Sequence, residues 1–181
     1  ILAQEHICFS PPAPSASPPP HAAAMAGAVE KRLAQLGLRI PRSPAPAANY
    51  VPWRKSGKQV FISGQIPKAE DNSLLTGKLG ANYSMDEGKA AARLCAVNLI
   101  SQMREACGGD LDKVKAVVKV EGFVNCTPDF VDHPQIVNGC SDLLVEVFGQ
   151  EVGAHSRFAV GCSSLPLGVA VEVGAVVEVV E

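Results

Sequence analysis

Apolar residues along this chain recur at helical spacing in three stretches and at strand spacing between them. In residues 28–38, Val29, Leu33 and Leu36 form one stripe, Glu30, Lys31 and Arg32 take the wet side, and Gly37 is the stop. The β-branched and aromatic run 59–63 predicts a short strand ended by Gly64, and Pro67 with the Gly-, Asn- and Asp-rich stretch 68–80 predicts a loop. Ser84 and Glu87 stand at capping-box spacing. Behind them Ala92, Ala96, Leu99, Met103 and Ala106 recur at helical spacing until Gly108-Gly109. Val114, Ala116, Val118, Val120, Gly122 and Val124 then alternate with Lys115, Val117, Lys119, Glu121 and Phe123, which predicts a strand with one fully apolar face and one half-polar face. Pro134 suits the first turn of another helix, whose stripe runs through Ile136, Cys140, Leu143, Leu144 and Val147 to Gly149. A strand over 154–163, a Leu165-Pro166 turn and a final strand from Val169 complete the pattern.

This order predicts an α+β sandwich: a mixed sheet with two long helices on one face and a C-terminal β-hairpin. The other face is expected to carry Val117, Phe123, Val176 and Val180 among charges, too apolar to stay wet, and so to meet another subunit. Three regions follow. Residues 1–24 hold six of the fourteen prolines with runs of Ala and Ser, and read as a flexible tail or an extension. Residues 25–43 are a short helix and linker that dock on the body, and 44–181 are the main domain, entered through an extended lead set by Pro41, Pro44 and Pro46.

Composition narrows the partners. With 47% hydrophobic residues in 181 there is enough for a real core, and a net charge of -2 with a pI near 6.1 argues against a nucleic-acid binder. No apolar run is long enough to span a bilayer. The six cysteines form no Cys-x-x-Cys pair and have no histidine at metal-ligand spacing, so free thiols in a cytoplasmic protein without metal or cofactor are expected. An organellar address stays open if residues 1–24 are a targeting segment, as does Met25 as the start.

Candidate chemistry centres on the C-terminal stretch. Arg157 enters an apolar strand, with Glu172 on the next, an arrangement suited to a small anion. Arg157 either grips a carboxylate or pairs with Glu172 or Glu178 across the expected hairpin, and Glu172 either moves protons or faces outward on its strand. Ser63, beside Gly64, either hydrogen-bonds a ligand or caps the strand end. Tyr50 and Trp53 lie in a proline-bounded loop, where Tyr50 suits binding and Trp53 packing. Cys126 and His155 form no evident nucleophile–base pair, and structural roles are expected of both.

Phe61-Ile62-Ser63-Gly64-Gln65-Ile66-Pro67 and the stretch 157–172 resemble the reactive intermediate deaminase family, also known as endoribonuclease L-PSP or translation-inhibitor-like proteins, over about residues 44–181. The resemblance implies a chorismate-mutase-like fold and a homotrimer, helices outside, sheets forming a central barrel, and a cleft between each pair of subunits. It implies that Arg157, Glu172 and Ser63 are catalytic and that Arg157 and Tyr50 bind substrate; their neighbours Gly64 and Phe158 are expected to bind substrate with them. The family arginine usually follows a proline, precedes a small residue and has a cysteine two positions on. Ser156, Phe158 and Ala159 stand there instead, which sets this chain's substrate range apart.

Three functions are expected from these residues. The first is hydrolysis of enamines and imines of the 2-aminoacrylate type to 2-keto acids and ammonia. The second is the endoribonuclease activity of the family's other name, against which the charge balance stands. The third is binding of a carboxylate metabolite without turnover.

Overall fold

Residues 27–43 and 48–180 are described by a computed structural model of the chain; the expected proline-rich tail, 1–24, lies outside the described residues. The first helix, α1 (Ala28–Gln35), is shorter than expected by a turn. Its first two amides, Ala28 and Val29, donate to the Asp112 carboxylate at 2.8 Å each, and Leu33 enters the common core. Satisfying those orphan donors from a distant loop is what docks so short a helix.

Five strands make one mixed sheet. They are β1 (Trp53–Ser56), β2 (Gln59–Gln65), β3 (Val114–Asn125), β4 (Ser156–Cys162) and β5 (Val171–Val179), in the spatial order β1-β2-β5-β3-β4. β5 runs antiparallel to both β2 and β3, while β4 runs parallel to β3 at the edge. The expected C-terminal hairpin is therefore corrected: β4 and β5 are separated by β3. A parallel pair needs a crossover, and the helix between β3 and β4 supplies it, which leaves β4 outside and sends β5 to the centre.

The long helices α2 (Met85–Ala106) and α3 (His133–Gly153) cover one sheet face, as expected. The Ser84–Glu87 capping box is present, with the Glu87 carboxylate accepting from Ser84 N–H at 2.8 Å. α3 is interrupted at Gly149, whose φ of 80° is not helical, close to the expected stop. Beneath the helices, Val171, Val173, Ala175, Val177 and Val179 of β5 are all buried, as are Val114, Val117, Val120 and Val124 of β3.

The strict alternation expected of β3 is broken twice, with register shifts between Val114 and Ala116 and between Val117 and Lys119. Each irregularity turns the following side chains over. Val117, expected on the open face, is consequently buried against the helices, and Val118 is exposed. The open face carries Phe61, Phe123, Phe158 and Val160, each between 41% and 59% exposed, beside Lys119, Glu121 and Glu172.

The 66–83 excursion is tied down at several points. Leu79 is fully buried, its N–H donates to Asn125 O at 2.9 Å, and its carbonyl accepts from Thr127 N–H at 2.9 Å. The buried Asn125 amide adds bonds to Gly77 O and Val169 O.

Where α2 and α3 cross, a Cβ added at Gly139 would strike the Lys89 carbonyl oxygen and lie 3.1 Å from Lys89 Cα. Backbone cannot swing aside as a side chain can. Gly139→Ala should therefore lower stability by roughly 1–3 kcal/mol in urea titration, although alanine is the better helix former.

Candidate functional site

The site begins with a slip in the pairing of β2 and β5. Their register runs evenly to Ile62 opposite Ala175, then resumes with Gln65 opposite Val173, so Ser63 and Gly64 together oppose Gly174. This two-against-one count is a β-bulge, a feature that re-aims groups at sheet edges and sites. Glu172 stands beside it on the open face, and its Oε1 occupies the place a Cβ on Gly64 would take. A side chain at 64 would displace the carboxylate from this position.

Ser63 secures the segment above. Its hydroxyl donates to Val51 O at 2.9 Å and its N–H donates to Pro52 O at 3.0 Å. Those bonds hold Tyr50 and Pro52 at the rim of a cavity of about 750 Å³, whose walls include Gly64, Ile66, Leu167 and Glu172. The size suits a small organic ligand. Leu167, 66% exposed, holds a left-handed φ of 57° at the same rim. That conformation costs a non-glycine residue roughly 1–2 kcal/mol, the kind of strain found at ligand clamps. The half-buried Glu172 carboxyl is pushed above its ordinary range by burial, which makes it a group able to hold or give up a proton nearer neutrality.

Arg157 is elsewhere. It sits opposite Val120 on the helix-covered side of the edge strand, and NH1 donates to Asn138 Oδ1 and Ser141 Oγ at 2.9 Å each. NH2 donates to Pro134 O at 3.3 Å. The ion pair with Glu172 or Glu178 weighed from the sequence is absent among the described residues, whose salt bridges are Arg93–Glu146 and Lys119–Glu121. The reason is topological, since β3 lies between the two strands. Ser141 links Arg157 to His155, whose Nδ1–H donates to Gly153 O at 2.7 Å. Burial, with help from the Arg157 charge, pushes His155 below its ordinary range, so its Nε2 accepts from the Ser141 hydroxyl.

Phe158 projects from the open face, with the Lys119 ammonium 4.6 Å above its ring. One chain thus gathers Glu172, Gly64 and Tyr50 about one cavity, with Ser63 bonded to the segment at its rim, and holds Arg157 and Phe158 at a separate edge. Trp53 is in β1, partly buried against the core, as expected of a packing residue. Cys126 does not meet His155; its Sγ lies 3.3 Å from His133 Nε2, a partner the sequence reading missed. The available signal was that β3 ends and α3 begins at the same edge of the sheet, which brings a strand-end Cys and a helix-start His together.

The comparisons with known proteins agree with the fold. Residues 30–179 match the family model described as "YjgF/chorismate_mutase-like, putative endoribonuclease". The chain belongs to the YjgF/chorismate mutase-like family. A Trypanosoma cruzi relative, protein TCP17, is 51% identical over 152 residues, 84% of this chain and 94% of its own length. Two solved structures cover 84% of the chain: an Agrobacterium tumefaciens protein of unknown function, Atu1372, and an endoribonuclease-named protein from Shewanella oneidensis. The first has 40% identity, a TM-score of 0.77 and 94% of its own chain covered. The second has 38% identity, a TM-score of 0.80 and all of its chain covered. Among the described residues no helix is long and apolar enough to cross a membrane.

Because burial raises the Glu172 carboxyl, the folded state holds its proton more tightly than the unfolded chain does. The stabilising contribution is therefore complete below the ordinary carboxylate range near pH 4 and is lost as pH rises through the raised value. Glu172→Gln should gain in melting temperature over wild type by roughly 1–3 °C more at pH 7 than at pH 4. A calorimetric comparison at the two pH values checks this.

Proposed function

We propose that the chain is a hydrolytic deaminase of small carboxylate-bearing enamines and imines of the 2-aminoacrylate type, acting in clefts between the subunits of a homotrimer. The observation that carries this is the half-buried Glu172 carboxyl, its proton affinity raised, set over the Gly64 bulge in a cavity of small-molecule size.

The enamine becomes an imine when its methylene carbon takes a proton, and water then adds to the C=N carbon. Glu172 takes the proton from that water and returns it to nitrogen, so the tetrahedral adduct collapses to a 2-keto acid and ammonia. Arg157 binds the substrate carboxylate. Three of its five N–H groups go to Asn138, Ser141 and Pro134, which fixes the guanidinium plane and leaves two donors for a ligand. Tyr50 and Phe158 border the substrate, and Ser63 keeps the Tyr50 segment in place.

Assembly supplies what one chain lacks. The exposed Phe61, Phe123, Phe158 and Val160 make a sheet face that another copy would cover, and covering it brings Arg157 of one subunit toward Glu172 of the next. The family description favours a second reading, RNA hydrolysis at the same cleft.

Mixing two inactive variants separates these readings. Arg157→Ala and Glu172→Gln chains should each lose 2-keto acid release from 2-aminoacrylate by about 10²-fold or more. Co-refolded at equal amounts, they should recover about one quarter of wild-type activity, the share of clefts that receive both intact residues. Failure to recover places the chemistry within one chain. RNA cleavage that follows the trimer through purification and vanishes in both variants favours the nuclease, and ligand binding with no turnover favours a metabolite sensor.

A further inference from the structure

A second cavity, of about 460 Å³, opens at the end of the sheet where β3 and β4 finish and α3 begins. It holds the Cys126–His133 pair, with Sγ and Nε2 3.3 Å apart. Cys126 is 7% exposed, and Phe130 meets the His133 ring edge-on with centroids 5.4 Å apart, which fixes its orientation. The close approach of β4 depends on Gly161, since a Cβ there would strike His133 Nε2 and lie 2.7 Å from Cys126 Sγ. Thiol, imidazole and glycine therefore form one fitted unit.

Lys78 completes the cavity wall. Its ammonium donates to Ser163 O at 2.6 Å, Asn125 Oδ1 at 2.9 Å and Cys126 O at 3.3 Å. All three acceptors are neutral, and no Asp or Glu lines the cavity. The pocket thus combines a nucleophile, an adjacent base and a cation whose charge no carboxylate in the pocket offsets.

We propose that Cys126 is a reactive thiol that forms thioethers with small carboxylate-bearing electrophiles, with His133 as its proton acceptor and the Lys78 ammonium as the positive charge that draws the carboxylate in. With an α,β-unsaturated acid, the thiol proton passes to His133 Nε2 and the sulfur adds to the β-carbon. The π pair moves to the α-carbon, which takes the proton back from His133. The S–H bond has then been added across C=C with no atom lost and no oxidant required. The pair and the cavity are separate from Glu172 and need no second subunit, so this activity does not rest on the deaminase reading.

The other described cysteines serve as internal references. Burial pushes the Cys95 and Cys107 thiols up and that of Cys140 up to about 12, and burial with the neighbouring Cys126 raises Cys162. The test uses iodoacetate and iodoacetamide, equal in size and differing in charge, each alkylating the thiolate sulfur through its CH2 carbon with release of iodide ion. Labelling is read at each cysteine by peptide mass spectrometry on the full native chain. Cys126 should label first and should react roughly tenfold faster with iodoacetate than with iodoacetamide, reversing the order seen with free cysteine. Lys78→Met should remove the charge preference, Lys78→Arg should keep it, and His133→Phe should slow both reagents. Preference for iodoacetamide at Cys126 in the wild-type chain, or labelling there no faster than at Cys162, overturns the proposal without recourse to any variant.

Discussion

The architecture hangs on the last strand being the middle one. β5 pairs with β2 on one side and β3 on the other, and its alternate residues Val171, Val173, Ala175, Val177 and Val179 are buried beneath α2 and α3. Each such valine brings roughly 1.5–3 kcal/mol of burial, so this strand joins the two halves of the sheet energetically as well as geometrically. It also makes the fold non-local: β2 and β3 cannot be bridged until the chain is nearly complete, and contacts of that separation are slow to form. Glu172 rides on this strand. Its position is set by the most heavily determined part of the molecule, and the Ser63-Gly64 bulge yields around it.

Much of this was legible in the residues. Ser84 and Glu87 announced α2 because a capping box states its mechanism in four positions, and Pro134 with a 3.6-period stripe announced α3. Arg157, Glu172, Ser63, Tyr50, Gly64 and Phe158 were grouped through family resemblance, since nothing in local spacing relates residue 64 to residue 172, and the single chain holds Arg157 and Phe158 apart from the others. What failed was pairing. Two neighbouring strands at the C-terminus suggest a hairpin, yet a parallel β3–β4 crossover through α3 satisfies the same pattern. Val117 was misplaced because a bulge changes which side a residue faces without changing its sequence environment. β1 escaped notice because Trp53-Arg54-Lys55-Ser56 is mostly exposed and has no apolar alternation to read.

The separation of Arg157 from Glu172 follows from the same topology. An edge strand lies two places from the central strand, so side chains on β4 and β5 cannot meet within the sheet, and Arg157 also faces the helix side while Glu172 faces the open side. Bonds to Asn138, Ser141 and Pro134 hold the arginine without any counter-charge. A guanidinium fixed by neutral acceptors is pre-organised for an incoming anion at little further entropic cost, whereas one already ion-paired must first be released.

The same logic of charge held by neutral oxygen recurs at Lys78, and there it coincides with a thiol and an imidazole. Both cations lie near the N-terminal half of α3, Arg157 against Pro134, Asn138 and Ser141 and Lys78 across the cavity from its first residue, His133. Both therefore lie at the edge of the sheet shared by β3, β4 and α3, while the half-buried Glu172 carboxyl stands on the open face. An electrophilic acid and a hydrolysable imine acid share a carboxylate but differ in what attacks them. Sulfur beside His133 suits the first, and water beside Glu172 suits the second. On the two proposed chemistries, a scaffold that leaves Arg157 and Lys78 without a carboxylate partner would sort the two acids by which group the bound one meets, with no change in the strands that position them.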